Sequence, residues 1–381
     1  MQKMLKIKNI SKSYKFLYRL FCSETESSSN DLYYIRGEID YSQPKNWNLY
    51  YSLPTTTKFA SAYIFLFPGQ GCQIVGMCKN LINIPQVQRL FDSASTLLKY
   101  DLLKLCIEGS SSKLNQTIYC QPAIYVASMA ALEKIKLEQP ELIENCIAAA
   151  GYSLGEITSL VFAGAISFEG AFSFLGLHFI RVRAQQMQLA CNNTKGGLLI
   201  VRIIPESRLN EALEAAKQYC QEKLQMIDPI CQIATHLFKE CKVIGGHTEA
   251  LDFVESFAKE FNLGLTKRLN VSGAFHTRLM RDAVNPCRNA LERIDGINQQ
   301  KINVFSNATG TIHTSQSEIK RLLVKQICHS VQWEQILVRL YMRPSIIEHP
   351  FTVEIGPTPQ LKDTISKTNP NAFKKYKHIS T

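Results

Sequence analysis

The sequence predicts an α/β protein with a mainly parallel sheet, into which a smaller layer of ferredoxin-like type is inserted. Short apolar runs alternate with helical patterns along most of the chain, which is typical of a parallel sheet. Residues 194–271 instead follow the order β-α-β-β-α-β, the ferredoxin-like pattern. The length of 381 residues, 45% of them hydrophobic, suits two domains or one large domain with an insertion.

The first predicted elements form the centre of the parallel sheet. An aromatic and aliphatic run, Tyr63–Phe67, predicts a buried strand that a Pro-Gly pair ends. Pro122 is expected in the first turn of a helix, where its missing N–H costs little. The apolar stretch Ile157–Ile180 has Glu169 in its middle, so we expect two buried helices joined near Ser167 rather than a membrane span. The predicted strands are 63–67 and 146–150, and the predicted helices are 87–99, 121–137 and one that follows residue 155.

The inserted layer and the return to the parallel sheet follow. The layer is predicted to contain strands at 197–204 and 264–271, a hairpin at 231–244, and helices at 206–224 and 248–261. Two further strands, 302–306 and 352–355, return to the parallel sheet, and the tail from Lys362 is polar and basic. We therefore expect a large subdomain over residues 61–193 plus 272–381 and a small ferredoxin-like subdomain over residues 194–271.

The net charge of +11 is concentrated at the ends of the chain. Residues 1–60 carry nine basic and five acidic side chains, and residues 362–381 carry five and one. The first 22 residues interleave basic with apolar side chains and contain no acidic residue, which is typical of a mitochondrial transit peptide. We expect residues 1–60 to be a transit peptide and linker, with a solvated basic tail as the alternative.

Composition argues against several other classes of protein. The body of the chain is close to neutral and shows no nucleic-acid recognition module, so nucleic acid is not an expected partner. The twelve cysteines are scattered without a C-x-x-C pair, which indicates reduced thiols rather than a disulfide scaffold. The eight histidines form no metal-binding motif, so no metal site is expected.

The segment Gly151-Tyr152-Ser153-Leu154-Gly155 matches the motif G-x-S-x-G. An apolar strand precedes it and an apolar helix follows it, as a nucleophile elbow requires. Because glycine has no Cβ, the two glycines let the serine Oγ project from a tight turn. A plain β-α turn in which Ser153 caps the helix is the alternative interpretation.

A glycine loop, Phe67–Gln73, follows the first strand. It lacks the lysine and the glycine spacing of nucleotide-binding loops, so a phosphate role is not expected. Its backbone N–H groups suit an oxyanion instead. For acyl transfer through Ser153, we expect one donor from the N–H of Leu154 and a second from the N–H of Gln70 in this loop.

Six motifs mark the body of the chain. They are Phe67–Gly71, Gly151–Glu156, Arg183, Gly273–Thr277, Ser306–Gly310 and Val331–Trp333. In this order they resemble the malonyl-CoA:acyl carrier protein transacylase family over about residues 62–361, and the basic leader resembles that of its mitochondrial members. The resemblance implies an α/β-hydrolase-like large subdomain and transfer of malonyl from malonyl-CoA to the phosphopantetheine thiol of acyl carrier protein. It also implies fatty acid synthesis in the mitochondrial matrix, a monomer and no cofactor.

The resemblance assigns roles to the residues at the reaction centre. Ser153 would be the nucleophile and His276 the base that takes its proton. In the family a backbone carbonyl near the position matching Gln332, rather than a carboxylate, holds the imidazole. That fits this chain, because no Asp or Glu between Ser153 and His276 lies in a context that suggests an orienting role.

Arg183 and Phe275 are implied in substrate recognition. Malonyl keeps a free carboxylate, which a planar guanidinium can bind with two hydrogen bonds. Arg181 is the competitor for this role, but alignment on the following Ala-x-x-Met-Gln favours Arg183. Phe275 would crowd a substituent on the malonyl α-carbon, a preference worth about 1–3 kcal/mol per methyl. Tyr152 is a departure, since many bacterial relatives have histidine at this position.

Two other functions remain open at this point. A serine hydrolase of the esterase or thioesterase type would be expected to use an acidic triad member, in the order Ser, acid, His, and to admit water to the acyl-enzyme. A catalytically silent scaffold that binds carrier protein is the second alternative. The intact set of Ser153, His276, Arg183 and Gln70 argues against the scaffold.

Overall fold

The computed structural model describes residues 62–166, 174–294, 297–342 and 348–381. The predicted transit peptide and linker, residues 1–60, lie outside the described residues, as does the helix junction predicted near Ser167. The eleven cysteines in the described part are all free thiols, as their scattered spacing predicts.

Strands and helices alternate through most of the described chain. The strands are β1 (Tyr63–Phe67), β2 (Cys146–Gly151), β3 (Gly196–Arg202), β4 (Cys231–Phe238), β5 (Cys241–His247), β6 (Thr266–Arg268), β7 (Asn303–Val304), β8 (Phe351–Ile355) and β9 (Tyr376–Ile379). The α-helices are α1 (Pro85–Leu98), α2 (Leu102–Glu108), α3 (Ser111–Leu114), α4 (Thr117–Glu138), α5 (Pro140–Glu144), α6 (Leu154–Phe162), α7 (Phe174–Asn193), α8 (Leu209–Leu224), α9 (Thr248–Ser256), α10 (Val284–Glu292), α11 (Gln316–Gln326), α12 (Trp333–Tyr341), α13 (Lys362–Thr368) and α14 (Pro370–Phe373). A 3-10 helix at Arg278–Ala283 precedes α10.

The larger sheet is parallel throughout, with strand order β7-β2-β1-β8-β9. Alternate side chains of the central strand β1 enter two different cores: Phe65 and Phe67 one of them, Ile64 and Leu66 the other. A strand with both faces buried needs a continuous apolar run, which is why this segment has no polar alternation. The carboxyl ends of β1 and β2 lie side by side, and the two predicted reactive loops leave from them.

The smaller sheet is antiparallel, with strand order β4-β5-β3-β6. Together with α8 and α9 it has the β-α-β-β-α-β chain order and the strand order of a ferredoxin-like layer, so the predicted fold class is confirmed. It joins the larger part at β4, where the N–H of His236 donates to the carbonyl of Val331 over 2.9 Å. The exact domain boundaries stay a prediction.

Two local predictions were wrong. Pro122 lies inside α4, because that helix begins at Thr117, whose N–H is held by Oε1 of Gln188 at 3.0 Å. The tail after Lys362 is folded: it forms α13 and α14 and then β9, which pairs in parallel with β8. The middle of β9, Lys377 and His378, is polar, as suits the edge strand of a sheet, and this composition resembles that of a tail.

The apolar stretch Ile157–Ile180 is divided between α6 and α7, as predicted. Helix α6 ends at Phe162 and α7 begins at Phe174. Among the described helices, none combines the length and the apolar character needed to cross a membrane.

Candidate active site

Ser153 lies at the sharp turn between β2 and α6. Its backbone has φ +53° and ψ −100°, a conformation that residues with a side chain rarely adopt. The glycines are required by space, since a Cβ on Gly151 would overlap the backbone of Gly155, and a Cβ on Gly155 would overlap the carbonyl oxygen of Phe67. The side chain of Ser153 makes no capping hydrogen bond to α6, so the alternative interpretation as a helix cap is wrong.

Two side-chain amides from distant segments hold the backbone of this elbow. Asn307 donates from Nδ2 to the carbonyl of Gly151 over 2.7 Å, and its Oδ1 accepts the N–H of Ser153 at 2.6 Å. Gln326 donates from Nε2 to the carbonyl of Ser153 over 2.9 Å. Sequence reasoning gave neither side chain a role. Asn307 does lie in a motif that carries the resemblance, and that was the available signal.

The hydroxyl of Ser153 is paired with an imidazole. Nε2 of His276 lies 2.7 Å from Ser153 Oγ, and Nδ1 of His276 lies 2.7 Å from the backbone carbonyl of Gln326. A carbonyl can only accept, so Nδ1 carries the ring proton and Nε2 is left to accept the serine O–H. The structure therefore brings Ser153 and His276 together, and a backbone carbonyl orients the ring, as expected.

The expectation for Gln332 was wrong, because the orienting carbonyl belongs to Gln326. Gln326 is the last residue of α11, and carbonyls in the final turn of a helix have no partner within the helix. The carbonyl of Gln332 is instead engaged at the start of α12, where it accepts the N–H of Ile336 at 3.0 Å. The N–H of Gln332 donates to the carbonyl of Asn307.

Burial keeps the imidazole of His276 neutral. The side chain is 4% exposed, and burial, together with the nearby positive charge of Arg183, lowers its pKa to about 3. The hydrogen bond to Gln326 opposes this shift only in part. At neutral pH the ring is therefore a free base beside the serine hydroxyl.

Arg183 is the second buried group beside Ser153. Its Nη2 donates to Ser153 Oγ over 3.0 Å and to Gln326 Oε1 over 2.8 Å, and its Nη1 donates to Gln121 Oε1 over 2.7 Å. Both glutamines fix the plane of the guanidinium against the elbow. Arg181 points elsewhere, donating from Nη1 to the carbonyl of a residue in α1 over 3.0 Å. The geometry thus separates the two arginines as expected.

The charge of Arg183 is not neutralised by direct contact with a carboxylate among the described residues. Burial lowers its pKa to about 10, so the group stays a cation at neutral pH. Its Nε is buried and has no hydrogen-bond partner in the described part of the chain. Unsatisfied buried donors are costly, so this cation can gain from an added anionic acceptor.

Glu156, one residue beyond the second glycine of the elbow, bonds both residues whose side-chain amides hold the elbow. Its buried carboxylate accepts the N–H of Asn307 at 3.0 Å and Nε2 of Gln326 at 2.6 Å. Its other oxygen lies 2.9 Å from Nε2 of His313, and both side chains are fully buried. Glu156 therefore positions both amides that hold Ser153. The sequence gave no role to Glu156 or His313.

The loop that carries Gln70 packs directly against the elbow. The N–H of Tyr152 donates to the carbonyl of Phe67 over 2.9 Å, and a Cβ on Gly69 would overlap the carbonyl of Tyr152. Within the described chain, neither the N–H of Gln70 nor that of Leu154 has a hydrogen-bond acceptor. Leu154 is the first residue of α6, where a helical N–H has no partner.

Phe275 and Tyr152 are the neighbours of His276 and Ser153 along the chain. Phe275 precedes His276 and is buried in the larger core, 6% exposed. Its predicted influence on the malonyl α-carbon stays a prediction. Tyr152 donates or accepts a 3.0 Å hydrogen bond with the hydroxyl of Thr235 in β4 and meets Trp333 edge-on. The tyrosine that departs from the bacterial pattern thus links the elbow to the smaller sheet.

A strained serine elbow on a parallel sheet, with a neutral histidine at hydrogen-bond distance, is the arrangement of enzymes that pass an acyl group through a serine. In the described residues, no group of histidine, cysteine, aspartate and glutamate side chains could hold a metal ion. The chain belongs to the acyl transferase domain family, whose pattern matches residues 64–379. The resemblance seen in the motifs is therefore confirmed.

Individual relatives carry more specific names. The chain is 44% identical over 309 residues to the probable mitochondrial malonyl-CoA-acyl carrier protein transacylase of Drosophila melanogaster, covering 81% of this chain and 80% of that one. It is 42% identical over 316 residues to the mitochondrial malonyl-CoA-acyl carrier protein transacylase of Homo sapiens, covering 83% of this chain and 79% of that one. The structure is also similar to a solved malonyl-transacylase in complex with its type II polyketide synthase acyl-carrier protein. The TM-score is 0.70 and the sequence identity 26%, over 84% of this chain and 96% of that one.

Proposed function

We propose that this chain transfers malonyl from malonyl-CoA to the phosphopantetheine thiol of acyl carrier protein, through a malonyl ester on Ser153. The observation that carries the proposal is the buried cation of Arg183, whose Nη2 lies 3.0 Å from Ser153 Oγ. An acyl group bound to this serine would place a terminal carboxylate within reach of the guanidinium. The names of the relatives support the same donor and acceptor.

In the first half-reaction, Ser153 Oγ attacks the thioester carbon of malonyl-CoA while His276 Nε2 takes the hydroxyl proton. The carbonyl oxygen becomes an oxyanion and accepts the N–H groups of Gln70 and Leu154. The C–S bond then breaks, and the CoA sulfur leaves with the proton from His276. The products are free CoA and malonyl-Ser153.

The second half-reaction runs the same steps in reverse with a different thiol. His276 takes the proton of the phosphopantetheine thiol, and the sulfur attacks the ester carbon of malonyl-Ser153. The intermediate again uses the N–H groups of Gln70 and Leu154. The ester C–O bond breaks, Ser153 regains the proton from His276, and malonyl leaves on the carrier protein. Ping-pong kinetics follow from this order.

Arg183 selects the acyl group by binding its free carboxylate. The hydrogen bonds that Arg183 donates to Gln121 and Gln326 hold the guanidinium plane in place before substrate arrives, so little ordering is needed on binding. A charge-assisted contact of this kind contributes about 1.5–3 kcal/mol. Phe275 adds steric selection against a substituent on the malonyl α-carbon.

The orientation of His276 favours transfer over an esterase-type mechanism. Its Nδ1 meets the carbonyl of Gln326, where an esterase-type triad would place a carboxylate. In this proposal the enzyme acts in the mitochondrial matrix as a monomer, needs no cofactor, and supplies malonyl groups for mitochondrial fatty acid synthesis. Fractionation of mitochondria and light scattering of the purified protein test the location and the monomer.

Mass spectrometry of the acyl-enzyme tests the reaction itself. Incubation with malonyl-CoA alone should leave one malonyl group on the peptide that contains Ser153, and added holo acyl carrier protein should remove it. The Ser153→Ala variant is the control and should acquire no adduct. Loss of the adduct to water as fast as to carrier protein would favour a hydrolase, and no adduct on protein that turns over would overturn the proposal.

A further inference from the structure

One side chain from the far end of the sequence holds the two peptide units that flank the Gln70 N–H. Oε1 of Gln360 accepts the N–H of Gly69 at 2.8 Å, and Nε2 of Gln360 donates to the carbonyl of Gln70 over 2.9 Å. These two bonds engage the polar backbone groups on either side of the Gln70 N–H. The Gln70 N–H itself is left without an acceptor in the described part of the chain.

The turn that presents Gln360 is itself anchored in the sheet. The N–H of Leu361 donates to both carboxylate oxygens of Glu354, over 2.9 and 3.2 Å. Glu354 lies in β8, is fully buried, and also accepts the hydroxyl of Tyr376 at 2.6 Å. At the other side of the turn, the hydroxyl of Thr358 donates to the carbonyl of Cys72 over 3.0 Å. Gln360 therefore reaches the loop from a fixed base.

The loop needs such a partner because its own sequence does not fix it. Gly71 is exposed and has φ +115°, and a glycine in this region has wide conformational freedom. A primary amide offers both an acceptor for the N–H of Gly69 and a donor for the carbonyl of Gln70. A glutamate would lose the donor to the Gln70 carbonyl, and a leucine would lose both contacts.

We propose that Gln360 is a positioning residue that holds the Gln70 N–H toward the oxyanion formed on Ser153. The inference rests on the proposed function, because it assigns to Gln360 an effect exerted through the Gln70 N–H. An oxyanion forms with every acyl group, so the contribution of Gln360 is independent of the malonyl carboxylate. In this it differs from Arg183, which recognises that carboxylate.

Steady-state kinetics of Gln360→Leu test the proposal. Removal of an oxyanion donor costs on the order of 10²–10³ in rate, and a displaced donor should cost less, about 10- to 100-fold in kcat. KM for malonyl-CoA should stay within about twofold, since Arg183 still binds the carboxylate. The ratio of malonyl to acetyl transfer rates should not change, because both acyl groups form the same oxyanion.

Two further variants separate positioning from general order in the loop. Gln73→Leu is the matched control: Gln73 accepts the N–H of Gly71 at 2.8 Å in the same loop, but contacts neither the N–H of Gly69 nor the carbonyl of Gln70. It should lose less than about threefold in kcat. Gln360→Glu keeps the length of the side chain and the acceptor, and should lose kcat about as strongly as Gln360→Leu while melting near the wild-type temperature.

The outcomes distinguish this inference from the proposed function. Wild-type protein that forms no malonyl-Ser153 adduct would overturn the proposed function. An active wild type with unchanged kcat in both Gln360 variants would overturn only the positioning role. Equal kcat losses in Gln360→Leu and Gln73→Leu, or a raised KM at wild-type kcat, would also contradict it.

Discussion

The elbow of Ser153 and the loop of Gln70 serve the same reaction centre but are held in different ways. Gly151, Leu154 and Gly155 of the elbow are buried, its glycines leave no room for a Cβ, and the side chains of Asn307 and Gln326 fix the backbone on both sides of the serine. The loop is partly exposed, and the amide of Gln360 bonds the N–H of Gly69 and the carbonyl of Gln70. Changes at the elbow should therefore affect folding and activity together, whereas changes at Gln360 should affect activity more than folding.

Asn307→Ala should have the largest effect, because it removes two bonds of the elbow at once. It leaves the buried carbonyl of Gly151 without this partner, at a cost of about 1–3 kcal/mol, and the partly buried N–H of Ser153 without its acceptor, at a smaller cost. Urea unfolding should show this loss, and kcat should fall with it. Asn192→Ala, an exposed asparagine in α7, is the control and should unfold like wild type. Wild-type stability in Asn307→Ala would contradict the stated difference between elbow and loop.

His276, beside the elbow, and Glu354, under the loop, should make the stability of the fold depend on pH with opposite signs. The folded pKa of His276, about 3, lies below its ordinary 6.5, so its contribution to stability is lost as pH falls from 6.5 toward 3. The folded pKa of Glu354, which lies under the loop, is raised by burial from 4.5 to about 7. Its contribution is lost as pH rises from 4.5 to 7.

Glu354→Gln isolates the loop side of this comparison. The free energy of unfolding of wild type should fall between pH 4.5 and 7 by about 3 kcal/mol more than that of the variant. Urea titrations at several pH values measure the difference. Glu222→Gln, at an exposed site in α8, should leave the wild-type slope unchanged. Identical slopes in wild type and Glu354→Gln would show that Glu354 is ionised alike in the folded and unfolded states.

Arg183→Ala should alter which acyl group is transferred. Loss of a charge-assisted contact of about 1.5–3 kcal/mol corresponds to a 10- to 150-fold fall in kcat/KM for malonyl-CoA. Acetyl transfer should be kept or increased, since acetyl has no carboxylate. Arg181→Ala, in which the neighbouring arginine is removed, should keep wild-type preference. Equal loss of both activities in Arg183→Ala would refute the carboxylate role.

Gln332→Ala should have the smallest effect. The ring of His276 is oriented by the carbonyl of Gln326, and Gln332 contributes backbone bonds that alanine retains. We expect kcat within about twofold of wild type in the same transfer assay. A loss of tenfold or more would contradict this expectation and would mean that the side chain of Gln332 contributes to the reaction centre.

The sequence predicts the elbow itself, but not the distant side chains that hold the elbow and the loop. The elbow has a local signature because the space around Gly151 and Gly155 dictates the residue type. The partners of the elbow and the loop have none: Asn307 lies 154 residues from Ser153, and Gln360 lies 291 residues from Gly69. Such contacts depend on which strands become neighbours in the sheet.

The errors have similar physical causes. Gln326 and Gln332 lie on either side of the gap between α11 and α12, and only the helix boundaries decide which carbonyl is free for His276. The strand Tyr376–Ile379 has two polar residues in its middle, lies at the edge of the sheet, and so resembled a basic tail. The strands 63–67 and 146–150 were predictable because burial on both faces demands continuous apolar sequence.

The central claim is that the side of the site that holds Arg183 and the side that Gln360 holds are positioned independently. A double-mutant cycle on the acylation step tests this claim most directly. Rapid-quench mass spectrometry would follow malonyl-Ser153 formation in wild type, Arg183→Ala, Gln360→Leu and the double variant. Independent sides predict that the two rate losses multiply in the double variant. A double variant no slower than the slower single variant would contradict the account, since both residues would then act through one shared element.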